Sequence, residues 1–586
     1  MAGPLGKVIE GSLSRGLKVL VRDENIENYP VGALVVIKGT KHHYLGVITD
    51  IGIESAGETV KSFYGSRIGN ELKDIAMDAI KDYVNTRFIE IALLGQSSGE
   101  MPRSADTIPN FYSDVVEVRQ EDIKVFFGEE NQKNLWNIGT PKVPGESTVY
   151  IPVDIEKLIE LSFGIFGKSG TGKTFLGNIL AGYMILYDDQ KSSVDKESKR
   201  LRLLIFDMHS EYSLKLRDNK GNVIADGIAS MNLFSNKFLR YTPDLELAKE
   251  AGLEELRIDY SDLTVDDLRL IAPIFGVSEG FLEHLGEFAS ILKRDKRCKL
   301  GDLWIWGLIL DKDSEDKMMK DIEGRKILDE IKKRTNVEDA DKLRRMILKV
   351  IKDRLGPSAC SSFRSQTAKL KQLLNYPYTY ITEEEKQTKK SSIDAIVDNL
   401  VSENGRSVVI SMGKYEKETP LYMIMANLIA RRLRERILSM IVRGEELKTK
   451  IVIFLEEAHN FLGRETYRMS PFGEIAREMR KKGVTLCVID QKPSELDDDV
   501  ISMLWTSFVF TLTDERDIGA ALMGTPRASL LRKVVPVLER QEVLIHGEAV
   551  NLPVVVKVLN YKKAAEIFKE HKRRKLDLVR QIMEQG

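Results

Sequence analysis

Cysteine is scarce in this chain. Three occur in 586 residues, Cys298, Cys360 and Cys487, far apart and with no Cys-x-x-Cys pair. That spacing argues against a zinc site or a disulfide framework and for a reducing compartment. As isolated thiols they are expected to be small buried hydrophobes. Long apolar runs are also missing. No stretch approaches the roughly 20 apolar residues that span a bilayer, and Met1 to Gly16 has no continuous apolar core of the kind a signal peptide needs. The expectation is a cytoplasmic protein with no membrane anchor. Net charge is nearly absent as well, with 88 basic against 89 acidic side chains. The whole chain therefore carries no nucleic-acid footprint, and any DNA contact must come from a local patch or a pore. Low complexity and internal repeats are lacking too. With 30% charged and 42% hydrophobic residues, the composition is that of a folded globular protein.

What is present divides by character. A chain this long exceeds one core, so three or four domains are expected. Residues 1–145 are strand-rich. Val19 to Val21, Ala33 to Ile37, Tyr44 to Ile51 and Arg87 to Leu94 are short β-branched runs broken by Gly, Pro, Asn and Asp, with a helical interruption at Asn70 to Tyr83. This suits a small antiparallel β-barrel. Pro141-Lys142-Val143-Pro144-Gly145 reads as a linker. Residues 146–232 open an α/β core, and 233–403 turn to charged amphipathic helices such as Asp321 to Arg334 and Ala340 to Arg354. Residues 404–560 return to strand–helix alternation, with strands at Ser407 to Met412, Lys450 to Leu455, Thr485 to Ile489, Phe508 to Leu512, Glu542 to Ile545 and Val554 to Val558. Thr419 is placed to cap a helix running to about Met440, with Pro420 in its first turn. Strands alternating with helices imply a parallel sheet, here one α/β core split by a helical insertion. Residues 561–586 form a charged helix with a basic cluster, Lys572 to Lys575.

The most specific signal is Gly167-Lys168-Ser169-Gly170-Thr171-Gly172-Lys173-Thr174, followed by Phe175. It lies between a short apolar strand, Phe163 to Phe166, and an apolar helix, Phe175 to Met184. Strand, glycine loop and helix N-terminus direct backbone N–H groups at a polyphosphate, with Lys173 on the β/γ oxygens and Thr174 on Mg²⁺. Hydrolysis also needs a residue to orient water and carboxylates for the metal. The run Lys450 to Leu455 delivers Glu456 and Glu457 to a strand end, where ligands bind in open α/β sheets. Glu456 is read as the partner of the Mg²⁺ shell and Glu457 as the positioner of water. Asp207 ends the strand Leu201 to Phe206 and is a candidate support for the metal. Gln491 ends another strand and is a candidate γ-phosphate sensor. His209 is more readily a packed loop histidine than a catalyst. ATP and Mg²⁺ are the expected cofactors.

Taken in order, these blocks resemble the HerA family of hexameric DNA translocases, within the HerA/FtsK branch of RecA-like P-loop ATPases. The resemblance rests on the glycine loop, Asp207-Met208-His209-Ser210-Glu211-Tyr212, Leu455-Glu456-Glu457-Ala458-His459-Asn460-Phe461, Ile475 to Gly483, Asp490-Gln491-Lys492-Pro493-Ser494, and Gly547 to Pro553. It implies a RecA-like core behind that family's N-terminal barrel, and a homohexamer with ATP at subunit interfaces. It further implies double-stranded DNA through a central pore, and a NurA-type nuclease as partner in DNA end resection in an archaeal cell. Three departures stand out. Glu478-Met479-Arg480-Lys481 replaces a common Glu-Gly-Arg-Lys. Leu161-Ser162-Phe163 carries no arginine ahead of the glycine loop, which moves the expected trans arginine to Arg480, then Arg477. The segment 233–403 is longer than a typical member's, which fits a divergent paralogue. Arg464, Arg468, Arg364, Lys369 and Lys371 are candidates to track phosphates, each competing with the ordinary reading of a solvated charge. The basic tail suits DNA, a partner or a neighbouring subunit equally. A conjugation or packaging pump and an ATP-gated clamp that recruits a nuclease are the rival functions.

Overall fold

The computed structural model describes residues 4–21, 26–55, 85–99, 101–129, 134–145, 149–217, 220–381, 385, 388, 390–571 and 573. The expected helix at Asn70 to Tyr83 lies outside them, as does the tail beyond residue 573. The chain divides into two compact units, residues 1–196 with 486–586, and residues 197–485.

The first unit begins with a closed barrel. Its strands are β1 (Gly6–Ser12), β2 (Gly16–Val21), β3 (Leu34–Lys38), β4 (His43–Ser55), β5 (Asn85–Ser97), the two-residue β6 (Arg103–Ser104) and β7 (Asp114–Val116). Antiparallel pairing runs β1–β2–β5–β4–β3–β7 and back to β1, so six strands close the cylinder while β6 extends the end of β5. Closure follows from alternation. Leu17, Val19 and Val21 on β2, and Ile89, Ile91 and Leu93 on β5, point to one interior with Val35, Ile37, Ile48 and Val115. A one-residue slip would turn each of these sets to solvent.

The rest of this unit is a mixed sheet in the order Val484–Asp490, Phe163–Phe166, Thr506–Val509, Glu542–Gly547, Val554–Val558, Leu135–Pro141, Ile151–Asp154. The first three strands are parallel and the others antiparallel. Two expectations change here. Pro141 does not open a linker. It ends a strand opposite Val556, the next N–H, of Lys142, donates to Val555 O (3.2 Å), and Lys142 Nζ pairs with the buried Glu542 at 2.9 Å. Proline is tolerated because it stands at the strand end, and the cross-strand bonding there is made by the N–H of Lys142. The strand expected at Phe508 to Leu512 is Thr506–Val509, because Phe510 and Thr511 turn away to meet the glycine loop.

The second unit holds a parallel sheet in the order Glu254–Glu255, Phe238–Thr242, Ser407–Ser411, Arg200–Asp207, Thr449–Glu456. Helices Val265–Ile271, Glu279–Arg294, Trp304–Ile309, Lys312–Met318, Ile322–Thr335, Ala340–Leu355 and Pro357–Leu370 follow in the chain before the sheet resumes. Their boundaries are chemical. Asp321 and Asp339 accept the N–H of Gly324 and Lys342, and Gly356, at φ 90°, precedes Pro357 at the next helix start. The long helix Thr419–Val442 starts one position earlier than capping by Thr419 requires. Glu418 holds the cap position and makes no side-chain bond there. All three cysteines are buried and none is in a disulfide, and burial pushes the Cys298 thiol up to about 11. Among the described residues no helix is long and apolar enough to cross a membrane.

A buried ion pair ties the helix Val265–Ile271 to the long helix Thr419–Val442. Asp267, fully buried, takes Arg431 at 3.0 Å and Asn427 Nδ2 at 2.6 Å. Removing Asp267 takes the nearest carboxylate from the half-buried Arg431, which keeps Glu435 at 3.3 Å, and strips Asn427 and the Thr264 N–H of their acceptor, a cost of about 1–3 kcal/mol per buried group left unpaired. Asp267→Ala is therefore expected to lower the thermal midpoint of this unit by several degrees or more, and Asp267→Asn by less. An unchanged melting profile in Asp267→Ala would contradict this role.

Candidate nucleotide site

The glycine loop leaves the strand Phe163–Phe166 and enters the helix Lys173–Val194. Neighbouring strands hold its entrance. Gly167 N–H donates to Asp490 O (3.3 Å) and Lys168 N–H to Thr511 O (3.2 Å), while Gln541 N–H donates to Thr171 O (3.0 Å). Two glycines are required by the conformation. Gly167 has φ 151° and a Cβ there would lie 2.5 Å from Phe510 Cβ, and Gly172 has φ 124°. Gly172 is also the cap residue of a 22-residue helix and makes no side-chain cap bond. The helix start therefore keeps N–H groups and the positive end of its dipole for an outside anion. Lys173 Nζ donates to Gly167 O (2.6 Å) and Lys168 O (3.1 Å), which folds the ammonium back against the loop. Lys168, Ser169 and Gly170 are exposed, and Thr171, Thr174 and Phe175 are half-buried. Asn178 fixes the Thr174 carbonyl at 2.9 Å. A cradle of N–H groups, a lysine and a threonine hydroxyl suits a polyphosphate with its cation.

In the same unit, Asp490 stands in register with Phe166, so Gln491 follows one residue past the point where the loop begins. Asp490 Oδ1 accepts Lys492 N–H (2.9 Å) and shapes this tip.

The second unit carries two buried carboxyl groups at its strand ends. Asp207 pairs in register with Ser411, and Leu455, ahead of Glu456, with Phe206. Asp207 is fully buried, with both oxygens taken by backbone donors: Glu211 N–H (2.8 Å), Tyr212 N–H (3.1 Å) and Ser213 N–H (2.8 Å). It builds the turn after its strand. Glu456 is buried too, and Oε2 accepts Met208 N–H at 2.9 Å. Burial, then the charges of Asp207, Glu211 and Glu457, push its carboxyl well above the ordinary range. Asp207 moves up as well, by burial against its hydrogen bonds. A carboxylate pair that resists ionisation is one that a divalent cation relieves. Among the described residues no group of three or more His, Cys, Asp or Glu is arranged to hold a metal alone. Mg²⁺ commonly binds through one or two carboxylates plus phosphates and water.

Glu457 is half-buried at φ 48°, and Ser210, after the neighbouring strand, has φ 60°. Non-glycine residues in this region store strain and cluster at functional sites. Glu457 O accepts Asn460 N–H and Nδ2, and its Oε2 lies 3.6 Å from His459 Nδ1. Tyr422 Oη donates to Glu456 O at 2.8 Å. His209 is exposed.

The arginine block departs from a regular α-helix. Ile475–Met479 is π-helical and Arg480–Lys482 a 3₁₀ turn, so the spacing that would place Arg477 and Arg480 on one α-helical face does not apply. Arg477 stacks on Tyr467, 4.9 Å from its ring centre, and Glu474 pairs with Arg434 at 2.8 Å. Arg464 and Arg468 are exposed on the loop after Glu457, and Arg364 is exposed on its helix. Lys369 and Lys371 are engaged within the fold, by Gly276 O and Asp311. Sequence reading missed Gln541, Thr511, Ser411 and Tyr422. Each acts through backbone or hydroxyl contacts that carry no motif.

Residues 136–433, just over half of the chain, match the family model of the central domain of helicase HerA. The chain belongs to the HerA helicase family. The DNA double-strand break repair helicase HerA of Pyrococcus furiosus is 36% identical over 116 residues, 19% of this chain and 21% of that protein. The Sulfolobus acidocaldarius HerA is 28% identical over 157 residues, 26% and 32% of the two chains. The chain thus spans only about a fifth to a third of these curated relatives' length. Among solved structures, the bacterial conjugative coupling protein TrwBdeltaN70 covers 74% of this chain and 95% of its own, at 13% identity and a TM-score of 0.40, a remote likeness.

Because Glu456 has a raised pKa in the folded state, the native protein binds more protons than the unfolded chain above the ordinary glutamate value of 4.5. Stability contributed at this position is then lost as pH rises through that window. Glu456→Gln keeps an acceptor for Met208 and removes the charge. Without nucleotide it is expected to melt above wild type at pH 8, with the gap closing towards pH 4.5. A gap independent of pH would contradict the electrostatic account.

Proposed function

We propose that this protein is an ATP-driven motor that moves double-stranded DNA through a homohexameric ring. The observation that carries the reading is a glycine loop at an uncapped helix start in a chain of the HerA helicase family. In this reading Gly167 to Phe175 wrap the phosphates and Lys173 compensates their charge. Thr174 and Glu456 hold Mg²⁺, with Asp207 behind Glu456. When bound, Mg²⁺ neutralises charge on the phosphates. Glu457 orients the attacking water and Gln491 senses the γ-phosphate. Arg480 reaches the neighbouring subunit's nucleotide. Arg477, whose guanidinium is stacked on Tyr467, is the second candidate.

The architecture fits this use as a RecA-like core split by a helical insertion. We take 1–145 as the barrel segment, whose last strand, Leu135–Pro141, joins the core sheet, 146–232 and 404–560 as the core, 233–403 as the insertion and 561–586 as a basic helix. Arg464, Arg468 and Arg364 serve as pore contacts, while Lys369 and Lys371 would first have to leave their present partners. A NurA-type nuclease would act on the DNA end, and the cytoplasm would house the complex.

Two linked measurements test the proposal. Duplex DNA is expected to raise ATP turnover, with stimulation fading as salt rises. Arg480→Ala subunits mixed with Glu457→Gln subunits are expected to recover part of the activity that each lacks alone, since one wild-type interface can form between them. ATP turnover indifferent to any nucleic acid would favour the clamp, and co-assembled mixtures that stay inactive would remove Arg480 from the interface.

A further inference from the structure

The helix Ala340–Leu355 carries six basic against two acidic residues in a chain whose total charge is −1. Lys342, Arg345, Lys349 and Lys352 recur at i, i+3, i+7 and i+10, so they share one face, and all four are exposed. Among the described residues none of the four forms an ion pair. The helix's two acids are used elsewhere. Asp341 Oδ1 accepts Lys312 N–H (3.3 Å) and Asp353 pairs with Arg297 (3.4 Å). This arrangement works against the helix itself. Successive like charges at i, i+3 and i, i+4 repel, and Lys342 and Arg345 stand near the positive end of the helix dipole.

The patch continues beyond the helix. Arg354 reaches Asp295 at 3.8 Å, and Arg297 bridges Asp295 (3.2 Å) and Asp353. These pairs bind the segment after Glu279–Arg294 to the last turn of the basic helix. They engage Asp295 and Asp353 and leave Arg294 and Lys296 exposed.

We infer that this face binds the phosphate backbone of duplex DNA, as a contact separate from the candidate pore residues. The inference rests on the reading of the chain as a DNA motor. Two rival anionic partners fit less well. A membrane helix inserts an apolar face, but here Leu343, Ile347, Val350 and Ile351 are already buried in the fold. Single strands need aromatic platforms, and the exposed stripe carries none.

The test uses the full chain with Lys342→Gln, Arg345→Gln, Lys349→Gln and Lys352→Gln combined, glutamine being a good helix former. Binding of a short blunt duplex is followed by fluorescence anisotropy across a salt series. The variant is expected to bind more weakly, with a log–log salt slope shallower by up to about 3.6, at about 0.9 per phosphate contact. Its melting temperature should be at or above that of wild type, and its DNA-free ATP turnover should match wild type. The double variant Arg345→Gln, Lys349→Gln should show about half the change in slope, which keeps the test open if the fourfold variant folds poorly. Unchanged affinity and slope would overturn the inference while leaving the motor standing. Loss of binding to phosphatidylserine vesicles, with duplex binding intact, would overturn it in favour of a lipid surface. Wild-type protein that binds no duplex at any salt would remove both the inference and the motor.

Discussion

Asp207 and Glu456 place two carboxyl groups at the ends of adjacent parallel strands, where neither meets solvent. Ionised carboxylates pay heavily for such burial unless hydrogen bonds or counter-charge compensate. Asp207 is compensated by three backbone N–H groups, and that requirement bends the chain from Met208 to Ser213 into its turn. Glu456 has one donor, Met208 N–H. It stays under-compensated next to Asp207, Glu211 and Glu457, and its carboxyl is driven upward. Beyond both strand ends the backbone takes up strain, at Ser210 and Glu457. Tyr422 and Ser411 brace the region through the Glu456 carbonyl and the Ser210 hydroxyl.

The first unit has the opposite polarity. There the glycine loop gives up side-chain capping, so the long helix begins with positive partial charge and a lysine turned onto its own loop. Bonds to Asp490, Thr511 and Gln541 set the loop's shape from flanking strands. Preorganised donors of this kind need little rearrangement to receive a phosphate, which is where electrostatic stabilisation is most effective.

Elements whose burial and period agree were legible in the sequence. The strand at Val554–Val558 matches its expected limits, and the helix Ala340–Leu355 extends one residue past its own. The strand before the glutamate pair runs Thr449–Glu456, one residue longer at each end than expected. What local pattern does not show depends on distant partners. Lys142 finds Glu542 some 400 positions away, Lys371 finds Asp311, and Arg434 holds Glu474 at the entry to a π-helical turn that has no periodic signature. In the candidate site, the motif residues marked which strand ends matter. The residues that hold those ends in shape, Gln541, Thr511 and Tyr422, act through contacts that local pattern does not encode.

The account's central claim is that Glu457 prepares water for attack on a phosphate held by the glycine loop, and Glu457→Gln addresses it most directly. The substitution keeps size and polarity while removing the carboxylate. Measured side by side, ATP affinity and native mass should match wild type while turnover in the presence of duplex DNA collapses. Turnover at the wild-type rate would contradict the account.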